Sequence, residues 1–129
     1  MAKLTQEDLL NIFNELKKII SPYRKGNMHP RIDIQGKYDL WAEKEVEVEG
    51  RKMDAVYFCG LIIQSSYVGF YFMPVYARPE MKAELAPELV KCLKGKSCFH
   101  MKTADKEMMK HVKDAMKKGY DMYKKMGWY

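Results

Sequence analysis

Apolar positions follow one rhythm at the two ends of the chain and another in the middle. After Thr5, the residues Leu9, Ile12, Phe13, Leu16, Ile19 and Ile20 recur every three or four positions, the spacing of one helix face. Thr5 suits the N-cap, and Glu7 and Asp8 fall in the first turn, where the helix dipole favours acids. Ser21-Pro22 ends the pattern, and YRKGNMHP over 23–30 has the composition of a loop. The same helical period returns from Asp105 to Met126, with Met108, Val112, Ala115, Gly119, Tyr123 and Met126 on one face. Between the two helices lies the longest apolar run, VYFCGLIIQSSYVGFYFM from Val56 to Met73, which is β-branched and aromatic and is interrupted near its middle by Gln64, Ser65 and Ser66. That texture predicts two strands and a tight connection at the centre of an antiparallel sheet.

A turn over Ser65 and Ser66, or a four-residue loop from Gln64 to Tyr67, pairs Ile63 with Val68, Leu61 with Phe70 and Cys59 with Phe72. These six side chains share one face, uniformly apolar and therefore core. The other face carries Phe58, Gly60, Ile62 and Gln64 on one strand and Tyr67, Gly69, Tyr71 and Met73 on the next. Gly60 falls opposite Tyr71, so the Tyr71 ring is expected over bare backbone.

The flanks are more polar. RIDIQGKYDLWAE alternates only in part, broken at Gly36. EKEVEVEG then sets Glu43, Glu45, Glu47 and Glu49 at period two around Val46 and Val48, which suggests a strand at or near a sheet edge, with Gly50-Arg51 turning into the central hairpin. Residues 75–86, VYARPEMKAELA, read as a connector with room for a helical turn. Pro87 opens a short helix, ELVKCLK, capped by Gly95, and KSCFHMK from Lys96 to Lys102 reads as the last strand. The sum is a single α+β domain over residues 1–129: two layers, with an antiparallel sheet of about five strands and the N-terminal and C-terminal helices packed on one face. Phe13, Leu16, Leu61, Phe70, Phe72, Val112 and Met116 are expected to share its core. Helices on one side leave the other sheet face open. Phe58, Gly60, Tyr67, Gly69 and Tyr71 are then the residues of a ligand or partner cleft, partly covered by the connector with Tyr76 and Met81 as lid. Complete burial of this face is the alternative.

Charge adds a second candidate surface. The net charge is +6, yet residues 1–90 hold 12 Lys and Arg against 13 Asp and Glu, while residues 91–129 hold 11 Lys against four acids. Lys106, Lys110, Lys113, Lys117 and Lys124 form a basic face on the last helix, opposite its apolar stripe. This is an expected site for an acidic protein partner or nucleic acid. The stripe lacks the Arg and aromatics that nucleic-acid surfaces usually add, so nucleic acid is the less expected of the two, and a solvated helix face is the plainer reading.

The glutamate row is the best candidate for chemistry. Alternate carboxylates on one strand face stand ~7 Å apart, near enough for neighbours to share a hard cation such as iron or calcium. Otherwise the row is a charged edge that blocks sheet-to-sheet aggregation. Cys98 and His100 share a strand face, but neither they nor Cys92 fall into a CxxC or HxxxH spacing, and His29 and His111 complete no set. Ser65 and Ser66 have no nucleophile-elbow context, so no catalytic residue is predicted and the protein is expected not to be an enzyme. No apolar run reaches the ~18 residues of a membrane span. The start, MAKLTQEDLL, lacks a signal-peptide core, and Cys59 and Cys92 lie in apolar patterns. A cytoplasmic protein with reduced thiols is therefore expected, as monomer or homodimer.

Two segments, YVGFYFMPVY at Tyr67–Tyr76 and LKGKSCFHMK at Leu93–Lys102, resemble signatures of the YdhG-like family of small bacterial proteins, which is grouped with the YjbR-like proteins and bacterial frataxins. The resemblance runs from the first helix to the last. It implies a two-layer α+β fold and a binding or accessory role; one member of the family is regarded as a frataxin-like iron chaperone for iron–sulfur assembly, so weak iron binding is an expectation here, while most members have no assigned function. In frataxins that iron binds an acidic ridge on the first helix and adjoining strand. Here the first helix carries Glu7, Asp8 and Glu15 beside Lys17 and Lys18.

Overall fold

The computed structural model describes residues 3–129. Helix α1 (Gln6–Ile20) starts at a capping box: the Asp8 amide donates to the Thr5 hydroxyl at 3.0 Å, and the Thr5 amide donates to the Asp8 carboxylate at 2.9 Å. The strands are β1 (Met28–His29), β2 (Asp33–Ile34), β3 (Lys37–Ala42), β4 (Val46–Val48), β5 (Arg51–Met53), β6 (Val56–Ile63), β7 (Val68–Phe72), β8 (Leu93–Lys94) and β9 (Cys98–Met101). Short helices α2 (Met73–Ala77) and α3 (Pro87–Val90) lie between β7 and β8. The long terminal helix α4 (Lys106–Lys125) is capped by Asp105, whose carboxylate accepts from the Met108 amide at 2.8 Å.

The fold is α+β, with an antiparallel sheet in the order β1-β3-β6-β7-β9-β8, and with β2 also paired to β3. Both terminal helices lie on one face. The sheet has seven strands where about five were expected. Three of them, β1, β2 and β8, are two residues long, too short for alternation to mark them. β1 falls inside the expected 23–30 loop. Leu93–Lys94 pairs with β9 instead of extending the helix after Pro87, so Gly95, at φ +79°, turns the β8–β9 hairpin and caps no helix. The glutamate segment is not an edge of this sheet either. β4 and β5 form a separate two-stranded hairpin, turned by Glu49 and Gly50 at φ +50° and +78°. Positive φ at both central residues belongs to the type I′ turn, one of the two whose twist matches that of the strands.

The central hairpin has the expected register, Cys59↔Phe72, Leu61↔Phe70 and Ile63↔Val68. Phe13, Leu16, Leu61, Phe70, Phe72, Val112 and Met116 meet in one core, each at most 1 % exposed. Phe58 departs from the expectation. The pairing with β3 slips between Leu40 and Trp41, so that Leu40 faces Cys59 while Trp41 faces Tyr57, and Phe58 is the extra residue of a β-bulge. The bulge turns Phe58 into the core, against Tyr23, Phe72, Tyr120 and Tyr123, and puts Tyr57 on the open side in its place. On α4 the inward residues are Met109, Val112, Ala115, Met116, Gly119 and Tyr123. Met108 is half-buried, and Met126, expected on this face, is exposed.

Candidate functional site

Strand alternation and the bulge together decide which side chains the helix-free face displays. On β3 they are Lys37, Asp39 and Trp41; on β6, Tyr57, Gly60 and Ile62; on β7, Gly69 and Tyr71; on β9, Cys98 and His100. Lys94 adds to this face across from Cys98, and Lys102 follows the buried Met101. The aromatics are half-buried and the three lysines are exposed.

One end of the face is a stack of three side chains. The Arg31 guanidinium lies 4.2 Å from the Trp41 ring centre, and Trp41 lies 4.9 Å from Tyr57. Carboxylates fix this stack. Arg31 donates from Nε and Nη2 to both oxygens of Glu43 at 2.8 Å, and that pairing holds the Glu43 carboxyl below its ordinary pKa. Asp39 accepts from the amides of Arg31 and Ile32 at 2.8 Å and from Trp41 Nε1 at 3.0 Å. At the other end Tyr67 and His100 stack in parallel, with ring centres 3.7 Å apart. Burial, and then the charges of Lys94 and Lys102, press the His100 pKa below 6.5.

Glycines make the floor between the two stacks. A Cβ at Gly60 would overlap the Tyr57 hydroxyl, and one at Gly69 would stand 3.2 Å from the Tyr71 ring. The ring over Gly60 is therefore that of Tyr57, while Tyr71, paired across from Gly60, leans against Gly69. Burial raises the pKa of the Tyr57 and Tyr71 hydroxyls and of the Cys98 thiol.

Gly60, Tyr67, Gly69 and Tyr71 thus share the surface expected of them, and Phe58 does not. The connector does not cover it. Residues 75–86 run along α4, where Lys118 donates to the Glu84 carbonyl at 2.6 Å. Met81 is buried on that side and Tyr76 is 54 % exposed. Among the described residues, none of the four main concavities is lined by Tyr67 or Tyr71. One of them, of about 490 Å³, lies at the far end of β6, walled by Val48 and Met53 of the small hairpin, Met73 and Tyr76 of α2, and Met126, with Tyr57 bordering it. Met53, Tyr76 and Met126 are three of the four exposed large apolar side chains among the described residues. Trp41, Tyr57 and His100 were missed as members of the open face. Only the bulge brings Tyr57 there, and no feature of the sequence marks the bulge.

The other candidates are more dispersed. Glu43 is bonded to Arg31, Glu47 projects from β4, Glu49 sits in the turn and Glu45 precedes the strand. Among the described residues no group of three or more His, Cys, Asp or Glu side chains is placed to hold a metal ion. Lys106, Lys110, Lys113, Lys117 and Lys124 are all exposed, and Lys113 and Lys117 meet Lys18 and Lys25 around a shallow basic concavity. Cys59, Cys92 and Cys98 are free thiols. Among the described residues no helix is long and apolar enough to cross a membrane. No family model matches the chain, and no curated protein or solved structure matches it.

Proposed function

We propose that this protein is a non-catalytic binding or accessory protein whose recognition surface is the open sheet face between the Arg31–Trp41–Tyr57 stack and the Tyr67–His100 stack. One observation carries this reading: aromatic rings lie against two bare glycines on the side of the sheet that neither the helices nor the connector cover. Rings lying on backbone present a π face outward, and half-exposed aromatics on a rigid sheet are ready-made contact area with little conformational entropy left to lose. The two segments that carry the resemblance to the YdhG-like family, Tyr67–Tyr76 and Leu93–Lys102, supply β7, β8 and β9, half of this face.

The test is an amide NMR titration with phenol and with indole as probes of the surface. Shifts gathering at Gly60, Gly69, Tyr71 and His100, and weakened by Tyr71→Ala, are the expected result. Shifts confined to Met53, Tyr76 and Met126 would move the binding site to the cleft of about 490 Å³ and overturn the reading.

A further inference from the structure

The open face differs from a plain apolar patch in its charge. Arg31, Lys37, Lys94 and Lys102 stand against Asp39 and Glu43, and both acids are already occupied by hydrogen bonds from Arg31, Ile32 and Trp41. The unpaired charge is therefore positive, and it sits at the margins of the aromatic floor. Lys94 and Lys102 flank the Tyr67–His100 stack, and Lys37 lies across from Ile62 on β3. From β3 to β9 is three strand spacings, roughly 14 Å.

We propose that this face binds single-stranded nucleic acid, its bases stacking on Tyr71 and on the Tyr67–His100 pair and its phosphates meeting Lys94, Lys102 and Lys37. The inference rests on the open face being the recognition surface. Aromatic side chains on an antiparallel sheet take two or three splayed bases in the common sheet-based RNA readers, and the span here suits that number. Stacking favours any base, because every base has a π face, while the lysines supply the salt-dependent backbone term. An acidic peptide would use the lysines but would leave the aromatic floor uncovered. A purely apolar partner would bury the lysines without compensation.

The test uses the full chain with fluorescently labelled oligomers of ~10 nucleotides, oligo-U, oligo-A and oligo-dT, read by anisotropy. The expected result is saturable binding that weakens with salt at a log–log slope of about −2, the value for three phosphate contacts on a single strand. Lys94→Gln with Lys102→Gln should flatten that slope by about 1.4. Tyr71→Ala should weaken binding about ten-fold, within the range of one lost base stack. Lys110→Gln with Lys113→Gln and Lys117→Gln should change neither. Binding that survives Tyr71→Ala but is lost with the helix lysines would overturn the proposal in favour of the basic helix. If none of the oligomers binds, the proposal is also overturned. The phenol and indole titration then separates the two cases: shifts at Gly60 and Gly69 leave the open face as the binding surface for another ligand, and no shifts there remove both readings.

Discussion

The Tyr57 hydroxyl lies where a Cβ of Gly60 would have to be, although the two residues are three apart on the same strand. The bulge at Phe58 makes this contact, since it puts Tyr57 on the same side of the sheet as Gly60. Gly60→Ala must therefore displace the ring, which is backed by Trp41 at 4.9 Å. The expected cost is about 1–3 kcal/mol in urea unfolding, the usual range for overpacking. Tyr57→Phe in the same chain should recover part of it, because the atom closest to the new methyl is gone and Tyr57 Cζ stands 3.1 Å away. Equal unfolding midpoints for Gly60→Ala and wild type would show that the ring swings away freely.

Gly119 poses the same question inside the core, with a sharper answer. Alanine in place of glycine favours a helix interior by about 1 kcal/mol. Here the new Cβ would stand 2.6 Å from Phe72 Cζ and 2.7 Å from Pro74 Cγ. Phe72 is fully buried, and Pro74, also buried, can move its Cγ only by a change of ring pucker. Overpacking should win, leaving Gly119→Ala less stable than wild type by on the order of 1 kcal/mol. A rise in melting temperature would show that α4 can shift away from β7.

Much of the fold was legible because the longest elements carry the strongest period. Thr5 to Ile20, Val56 to Phe72 and Asp105 to Lys125 are each long enough for apolar spacing to declare helix or strand, and the hairpin register followed from where its two serines interrupt the run. What was illegible is short or irregular. Two-residue strands such as Met28–His29 have no period, and Glu49-Gly50 is not a common signature for a hairpin turn. The candidate site depended on the most hidden of these features. One extra residue at Phe58 exchanges the faces of Phe58 and Tyr57, so a strict two-residue alternation misplaces the residue that borders both the open face and the cleft.

The glutamates give a test of the iron reading that the family resemblance suggests. Both Glu43 oxygens are engaged by Arg31, so a shared cation site would have to form on Glu45, Glu47 and Glu49 of the small hairpin alone. Glu45→Gln with Glu47→Gln should leave stability within about 0.5 kcal/mol of wild type, as exposed surface changes do. Ferrous iron followed by NMR should move the amides of Glu45 to Glu49 no more in the wild type than in this variant. A ferrous-dependent shift that the double substitution abolishes would establish a metal site on the hairpin.

His100 offers a reading of the open face through pH. Its folded-state pKa lies below the ordinary 6.5, first because the ring is partly buried and then because Lys94 and Lys102 repel its proton. The unfolded chain therefore binds that proton more readily than the folded one does. The contribution of His100 to stability is fully present above pH 6.5 and is lost as pH falls from there through the folded-state pKa. The ring C–H resonances of His100 should titrate below 6.5 in the wild type. Lys94→Gln with Lys102→Gln should move the midpoint upward without restoring it, since burial is the larger cause. Tyr67→Ala, which removes the ring stacked 3.7 Å from the imidazole, should also move it upward by admitting water. A wild-type His100 titrating at or above 6.5 would show that the Tyr67–His100 stack opens in solution and that the lysines stand farther from it than this geometry places them.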